Sequence, residues 1–298
     1  MAQETAAKIW ALTGLSGVSA RAFSRLLERY QTLDGIFSAD ADALREEFEL
    51  SDELAESIAE ADTRLSEAQE FIDSLTDREI SVVTVFDEEY PEGLRELHTP
   101  PPLLFYRGTL PQRQERIVSL VGSGSPSAEG IEVAVEFAQL MAARGISLVS
   151  GLARGIDSAA LVGATGAADR ANTYAVVSCG LDDIQPEENQ TLAAQVAARG
   201  AVISEAAPDA PPTAEAILEA NRLIVGLSRA VVVGEILLES MGALDVVHSC
   251  VESGKILFAL VPSERQALDQ AALERIVALG AIPVRFPEDF DTIVTCLV

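Results

Sequence analysis

Histidine and lysine are almost missing from this chain: His98, His248, Lys8 and Lys255 are the whole complement. Cysteine is scarce as well. Cys179, Cys250 and Cys296 are unevenly spaced and form no CxxC pair, which argues against a zinc cluster or a disulfide framework and leaves three thiols expected to be buried. No histidine accompanies a serine in a nucleophile signature, and no two carboxylates stand at a diagnostic spacing. No catalytic residue, metal ligand or cofactor is therefore expected, and an enzymatic reading would rest on fold analogy alone. No apolar run reaches the roughly 20 residues that span a bilayer. The start MAQETAAKIWALTG lacks the basic segment and apolar core of a signal peptide. A cytoplasmic protein without membrane contact is the expectation.

Acidic residues dominate. With 47 Asp and Glu against 21 Lys and Arg the formal charge is -26, which repels nucleic acid and anionic membranes at long range. The basic residues are nearly all arginine. An acid-rich, lysine-poor surface also suits a salt-rich cytoplasm, where salt screens that repulsion. The charge lowers the expectation of nucleic-acid binding without excluding a local basic pocket.

At 298 residues, 48% of them hydrophobic, the chain is long enough for one α/β domain and a smaller companion. Residues 1–78 read as a small all-α module, SAM-like or helix-hairpin-helix-like. Ile9, Leu12, Phe23, Leu26, Leu44 and Ile58 fall at helical spacing, and Ser19 is placed to cap the helix that carries Phe23. Residues 79–298 read differently. The runs IVSLVG, ISLVSG, TYAVVS, AVISE, AVVVGEI and KILFALV are too continuously apolar for strands with one wet face, and helical stretches separate them. Three of these helices, including the one ending ARG before AVISE, close on a glycine suited to a left-handed cap. Strand and helix in alternation predict a Rossmann-like, doubly wound, mostly parallel sheet.

Such sheets bind ligands beyond the carboxyl ends of their strands. Three loops there have a phosphate-cradling composition: VGSGSPSAEG with Gly122 and Ser123, SGLARGIDSA with Gly151, Arg154, Gly155 and Asp157, and GEILLESMGALD with Ser240 and Gly242. Each residue also has a plainer reading. Asp157 would cap its helix, the glycines would serve tight turns, Arg154 would be a solvated loop residue, and Asn221 and Arg222 would open a helix without any ligand. The helix at 267–280 carries Leu268, Ala272, Ile276 and Leu279 on one face, expected to be core rather than interface.

Five segments in order, FDEEYPEGLRELHTPPPLLFYRGTL, IVSLVGSGSPSAEG, GISLVSGLARGIDSAAL, CGLDDIQPEENQTLAAQVAARGAVISE and NRLIVGLS, resemble the DNA-processing protein A (DprA, also called Smf) family. The resemblance runs from about Val82 to Val261. It implies a non-enzymatic homodimer that binds single-stranded DNA at the strand ends and assists a RecA-type recombinase during DNA uptake and recombination. It also implies phosphate contacts at Gly122, Ser123, Gly151, Arg154, Gly155, Asp157, Asn221, Arg222, Ser240 and Gly242. The chain departs from the family pattern at four places: Gly124 and Ala220 replace arginines, Leu161 replaces a histidine, and Glu239 stands where an arginine precedes the serine loop. Two other readings stay open. One is a divergent paralogue holding a nucleotide-like ligand or a protein partner; the other is a phosphoribohydrolase-type enzyme, for which ESMGALD matches the PGGxGT loop poorly.

Overall fold

Between residues 2 and 75 each helically spaced apolar run becomes a helix. The computed structural model describes residues 2–167, 170–262 and 269–297. It places here α1 (Ala2–Thr13), α2 (Ala20–Tyr30), α3 (Leu33–Phe37), α4 (Ala41–Phe48), α5 (Asp52–Ala59) and α6 (Leu65–Ser74). Hydroxyls start three of them: Ser19 Oγ accepts from Ala22 N at 3.2 Å, and Thr32 and Ser51 do the same for α3 and α5. Ile9, Leu12, Phe23, Leu26, Leu44 and Ile58 are buried, and Trp10 stacks on Phe71 with ring centroids 4.4 Å apart. Then come β1 (Ser81–Thr84), α7 (Glu92–Arg95) and β2 (Leu103–Gly108). Two compact units result, Met1–Tyr90 with Arg95–Phe105 and Pro91–Leu94 with Tyr106–Val298.

In the second unit strand and helix alternate throughout. β3 (Ile117–Val121), α8 (Ala128–Ala143), β4 (Ser147–Ser150), α9 (Ile156–Gly166), β5 (Thr173–Val176), α10 (Gln190–Arg199) and β6 (Gly200–Ser204) come first. α11 (Ala214–Leu227), β7 (Ala230–Val233), α12 (Met241–Glu252), β8 (Ile256–Pro262), α13 (Gln270–Ala278), β9 (Ile282–Phe286) and α14 (Phe290–Cys296) complete it. The spatial order is β6-β5-β4-β3-β7-β8-β9, and every neighbouring pair in that run is parallel. The chain winds outward from β3 to β6, then returns to β3's other side at β7. That reversal is a topological switch point, where the loops after β3 and β7 lead away to opposite faces and leave a cleft.

Strands β3 to β7 are buried along their whole length, which accounts for their unbroken apolar runs. β9 is absent from the strands read in the sequence. Pro283 and Arg285 interrupt it, and only Val284 and Phe286 are buried. It is the outermost strand of this run, where a proline without an N–H is tolerated. The expected glycine caps hold for Gly145 and Gly254, with φ of 66° and 65°. Gly200 corrects the third: its φ of 172° is extended, and a Cβ there would stand 2.1 Å from Thr173 O. Close strand approach, not a helix cap, requires that glycine. Ala272 and Ile276 of α13 are buried as expected, while Leu268 lies outside the described residues. Cys179 and Cys250 are buried, but Cys296 is exposed at the end of α14.

The two lysines do different jobs. Lys255 follows α12 and sends Nζ to the carbonyls of Val225, Gly226 and Ser228 at 2.7, 2.9 and 2.7 Å, satisfying the acceptors that α11 leaves at its end. Lys8 meets Asp34 at 2.9 Å, with the aspartate side chain 81% exposed. Charged hydrogen bonds to partly buried acceptors are worth more than pairs in water, so Lys255→Met is expected to lower the unfolding free energy by about 2–4 kcal/mol. Lys8→Met should change it by less than about 1 kcal/mol. Urea unfolding of both variants measures the contrast, and equal effects would show that the three-carbonyl contact contributes little.

Candidate functional site

The loops after β3, β4 and β7 are where the sheet meets solvent at its carboxyl ends, and there the second unit holds a crevice of 540 Å³. Gly122, Gly151, Arg154, Asp157, Asn221, Ser240 and Gly242 all line it, so residues spread over 120 positions of sequence come together. Ala220 and Gly124 join them, and Ile217, Ile224, Met241 and Val246 supply apolar wall. Ser123, buried, and Gly155, half-buried, do not line the crevice. Ser123 N donates to Glu235 O at 2.7 Å and its carbonyl accepts from Ile156 N at 3.0 Å. A Cβ at Gly155, whose φ is 80°, would come within 2.2 Å of Ser123 O. The two loops touch there, so glycine is obligatory.

Asp157 does not cap α9. Gly155 holds the cap position and offers no side chain, while the Asp157 carboxylate reaches across the strand ends. It accepts from Gly122 N at 3.3 Å and from Gly151 N at 3.2 Å. The amides of both glycine loops, laid out as if for a phosphate, are thus occupied by the chain's own carboxyl oxygens. Burial of the carboxyl pushes its pKa up to about 7 against the lowering effect of those amides. A second acid repeats the arrangement at α8: Ser127 N donates to Glu235 Oε1 at 2.8 Å and the Ser127 hydroxyl donates to Oε2, beside the helix start that Ser127 itself caps.

The cations are engaged too. Arg154, on the rim, pairs with Glu188, Nη2 to Oε2 at 3.0 Å, and this contact holds the Glu188 carboxyl below its usual range. Arg222 corrects the reading that Asn221 and Arg222 open a helix, because both sit in the middle of α11, which Thr213 starts by accepting from Ala216 N at 3.1 Å. Its guanidinium meets Glu205 at 2.6 Å as well as Glu219, behind the crevice wall. Burial raises Glu205 to about 7 despite that pairing. Asn221 Nδ2 donates to Gly242 O at 3.2 Å, fixing α11 to the start of α12, and Ser240 Oγ accepts from Leu237 N at 3.2 Å. At Gly242 no heavy atom lies within 4 Å of a built Cβ, so the first turn of α12 is the open helix start in the crevice.

Sequence reading passed over three supports. Leu152 has φ of 56°, an uncommon left-handed leucine, and its carbonyl accepts from Asn189 Nδ2 at 2.8 Å. Asn189 and Glu188 both come from PEEN, whose spacing after GLD was the available signal. Glu235 gave none, since a lone glutamate after a strand reads as solvated. Leu161 is fully buried in α9 and does not line the crevice, whereas Glu239 is exposed beside α12. Among the described residues no group of three His, Cys, Asp or Glu side chains could hold a metal ion, and no helix is long and apolar enough to cross a membrane.

The Asp157 arrangement predicts a pH dependence. Between about pH 4 and pH 7 the folded state keeps a proton that the unfolded chain releases, so this contribution to stability is full below about pH 4 and is lost as pH rises through 7. Relative to Asp157→Asn, the parent should lose unfolding free energy across that window. A difference that stays constant in urea titrations from mildly acidic to mildly alkaline pH would show that Asp157 is ionised throughout.

Comparison with known proteins finds relatives over most of the chain. The chain is 32% identical over 264 residues to protein Smf of Synechocystis sp., an alignment covering 87% of this chain and 65% of that protein. It is 34% identical over 177 residues to DNA processing protein DprA of Streptococcus pneumoniae, covering 59% and 61%. The match therefore spans under two thirds of either relative's length. The X-ray structure of the S. pneumoniae protein superimposes with a TM-score of 0.72 at 27% identity, covering 95% of this chain and 96% of that one. A structure of DNA processing protein A from Helicobacter pylori, described for its single-stranded DNA binding mode, shares the fold with a TM-score of 0.61 at 24% identity, covering 73% and 95%. The family model for DNA recombination-mediator protein A matches residues 81–295. With all three crevice loops inside that span, the chain belongs to the DNA recombination-mediator protein A family.

Proposed function

We propose that the protein is a DNA-processing protein that holds single-stranded DNA in the crevice at the carboxyl ends of its sheet. In this reading it acts without catalysis, as a homodimer that helps a RecA-type recombinase onto the strand. The observation that carries it is the convergence of the three glycine and serine loops on one crevice at the switch point of a fold shared with DNA processing proteins. Within the crevice the first turn of α12, with Ser240 and Gly242, offers open backbone to a phosphate. Arg154 stands on the rim with its partner Glu188 in water, and such exposed pairs exchange readily for another anion. Arg222 supports α11 through Glu205 and leaves phosphate contact to others. Asp157 keeps the glycine loops in shape from beneath.

So few open cations should give weak binding with a shallow salt dependence. Fluorescence anisotropy with a labelled oligothymidine at low salt is expected to show binding, and Arg154→Ala should weaken it severalfold and reduce the salt slope by about 0.7. Gly124→Arg should strengthen it, because a Cβ at Gly124 meets only Arg154 O, at 4.0 Å, and the added guanidinium would enter the crevice. No binding by either the parent or Gly124→Arg at low salt would eliminate this reading. The crevice volume and its apolar wall favour a second one, a small nucleotide-like ligand. A melting temperature raised by a nucleoside monophosphate in a protein that ignores DNA would establish that alternative.

A further inference from the structure

The largest concentration of positive charge in the second unit lies at the opposite end of the sheet. Each of five neighbouring strands begins behind an arginine: Arg199 before β6, Arg170 before β5, Arg144 before β4, Arg116 before β3 and Arg229 before β7. The strands start level with one another, since Thr173 pairs with Gly200 and with Leu148, Ile117 with Ser147, and Val118 with Ala230. At roughly 4.8 Å between strands the row runs about 20 Å. A groove of 810 Å³ opens beside it, lined by Arg113, Arg170 and Arg199. Arg229 Nη2 donates to Gln114 O, part of the groove lining, at 3.2 Å.

One acid lines this groove among the described residues, and its oxygens are already committed. Glu115 accepts from Gln112 N at 3.0 Å, Asn172 Nδ2 at 2.9 Å and the Tyr174 hydroxyl at 2.8 Å, and from the Ser147 hydroxyl besides. Its role is to knit β3, β4 and β5 together at their starts. Among the described residues, three arginines stand against the internally saturated Glu115 and against Glu92, which pairs with Arg113 from outside the lining, so the groove keeps a positive surplus on a chain of charge -26. Helix ends account for part of the row: Arg199 Nη1 donates to Thr165 O at 3.1 Å near the end of α9, and Arg144, at the end of α8, pairs with Asp291. Arg113 belongs to no helix and is 80% exposed, with Glu92 its surface partner at 3.2 Å, and Arg170 is exposed. Those two have no such structural duty.

We propose that this groove is a second phosphate-binding surface, which takes the phosphodiester backbone of a single nucleic-acid strand at the amino-terminal edge of the sheet. The proposal rests on the DNA-processing reading for the identity of the strand, but not on the crevice being a contact. A strand fits this surface better than a compact anion because the arginines before the strands form a row rather than a cluster, and polar Gln112, Gln114 and Asn172 line the groove beside it. An acidic protein that keeps arginines along one edge presents a single track to a polyanion and repels it elsewhere.

The test uses the full chain carrying Arg113→Glu with Arg170→Glu, both exposed positions, beside Arg154→Ala and the parent. Oligothymidine affinity and its salt slope are measured for all three, with melting temperatures as the check on folding. The groove variant is expected to bind at least about tenfold more weakly and to lose about 1.4 from the salt slope, at an unchanged melting temperature. Parent-like affinity and slope in that variant would overturn the proposal. An effect of the groove variant with none from Arg154→Ala would remove the crevice as a DNA contact and leave the groove standing; the reverse result would do the opposite. If the parent ignores DNA yet inorganic tripolyphosphate raises its melting temperature only while Arg113 and Arg170 are intact, the ligand is free polyphosphate and the assignment to a strand fails.

Discussion

The carboxylate of Asp157 is the contact on which the crevice depends. By accepting from the amides of Gly122 and Gly151 it joins the ends of β3 and β4, and so fixes the separation of the two glycine loops. Gly155 allows those loops to touch, and Asn189 holds the left-handed Leu152 between them. Backbone amides buried at strand ends require an acceptor. This chain supplies its own, at the cost of burying an acid whose pKa rises to about 7. Glu235 applies the same solution at the start of α8. Two features that read as phosphate cradles are thereby internally satisfied, and the open backbone shifts to the first turn of α12.

This internal satisfaction explains how a strongly acidic protein retains a parallel sheet with glycine loops at its carboxyl ends. Its carboxylates are solvated at the surface and structural at the strand ends, and its arginines follow the same division. Arg154 and Arg222 are paired with Glu188, Glu205 and Glu219 around the crevice, so these cations give the carboxyl end of the sheet no positive surplus. The amino end has arginines in excess of nearby acids. Parallel packing creates that end automatically, because every helix finishes there and a cation is favoured at each finish. Lys255 serves this purpose at the end of α11, whereas Arg113 and Arg170 extend the charge beyond what the helices use.

Much of the fold was legible because burial on both faces leaves an unmistakable trace. The runs of β3 to β8 were read as strands from their continuous apolar character, and Ser19 was read at a helix start because a hydroxyl there accepts from a backbone amide of the first turn. β9 escaped because an edge strand is half solvated and tolerates Pro283 and Arg285. The caps misled at Gly200, where a glycine demanded by a neighbouring strand resembles one demanded by a helix end. Asn221 and Arg222 were misplaced for a related reason. Nothing between Ala214 and Ala220 marks an interruption, and the apparent helix start was the interior of α11.

The sequence by itself determined the parallel α/β architecture, the helical character of the first unit and the three loops that meet at the switch point. Each of these follows from hydrophobic period and glycine placement, which are local properties. Tertiary structure alone decided what the charges do. Whether Asp157 caps its own helix or spans two strands, whether Arg222 faces a ligand or Glu205, and whether Arg113, Arg170 and Arg199 share a groove depend on pairings between positions 6 to 86 residues apart. Electrostatic interactions act across space with no periodic signature along the chain, so only the folded arrangement shows which ions are satisfied and which remain open to a partner.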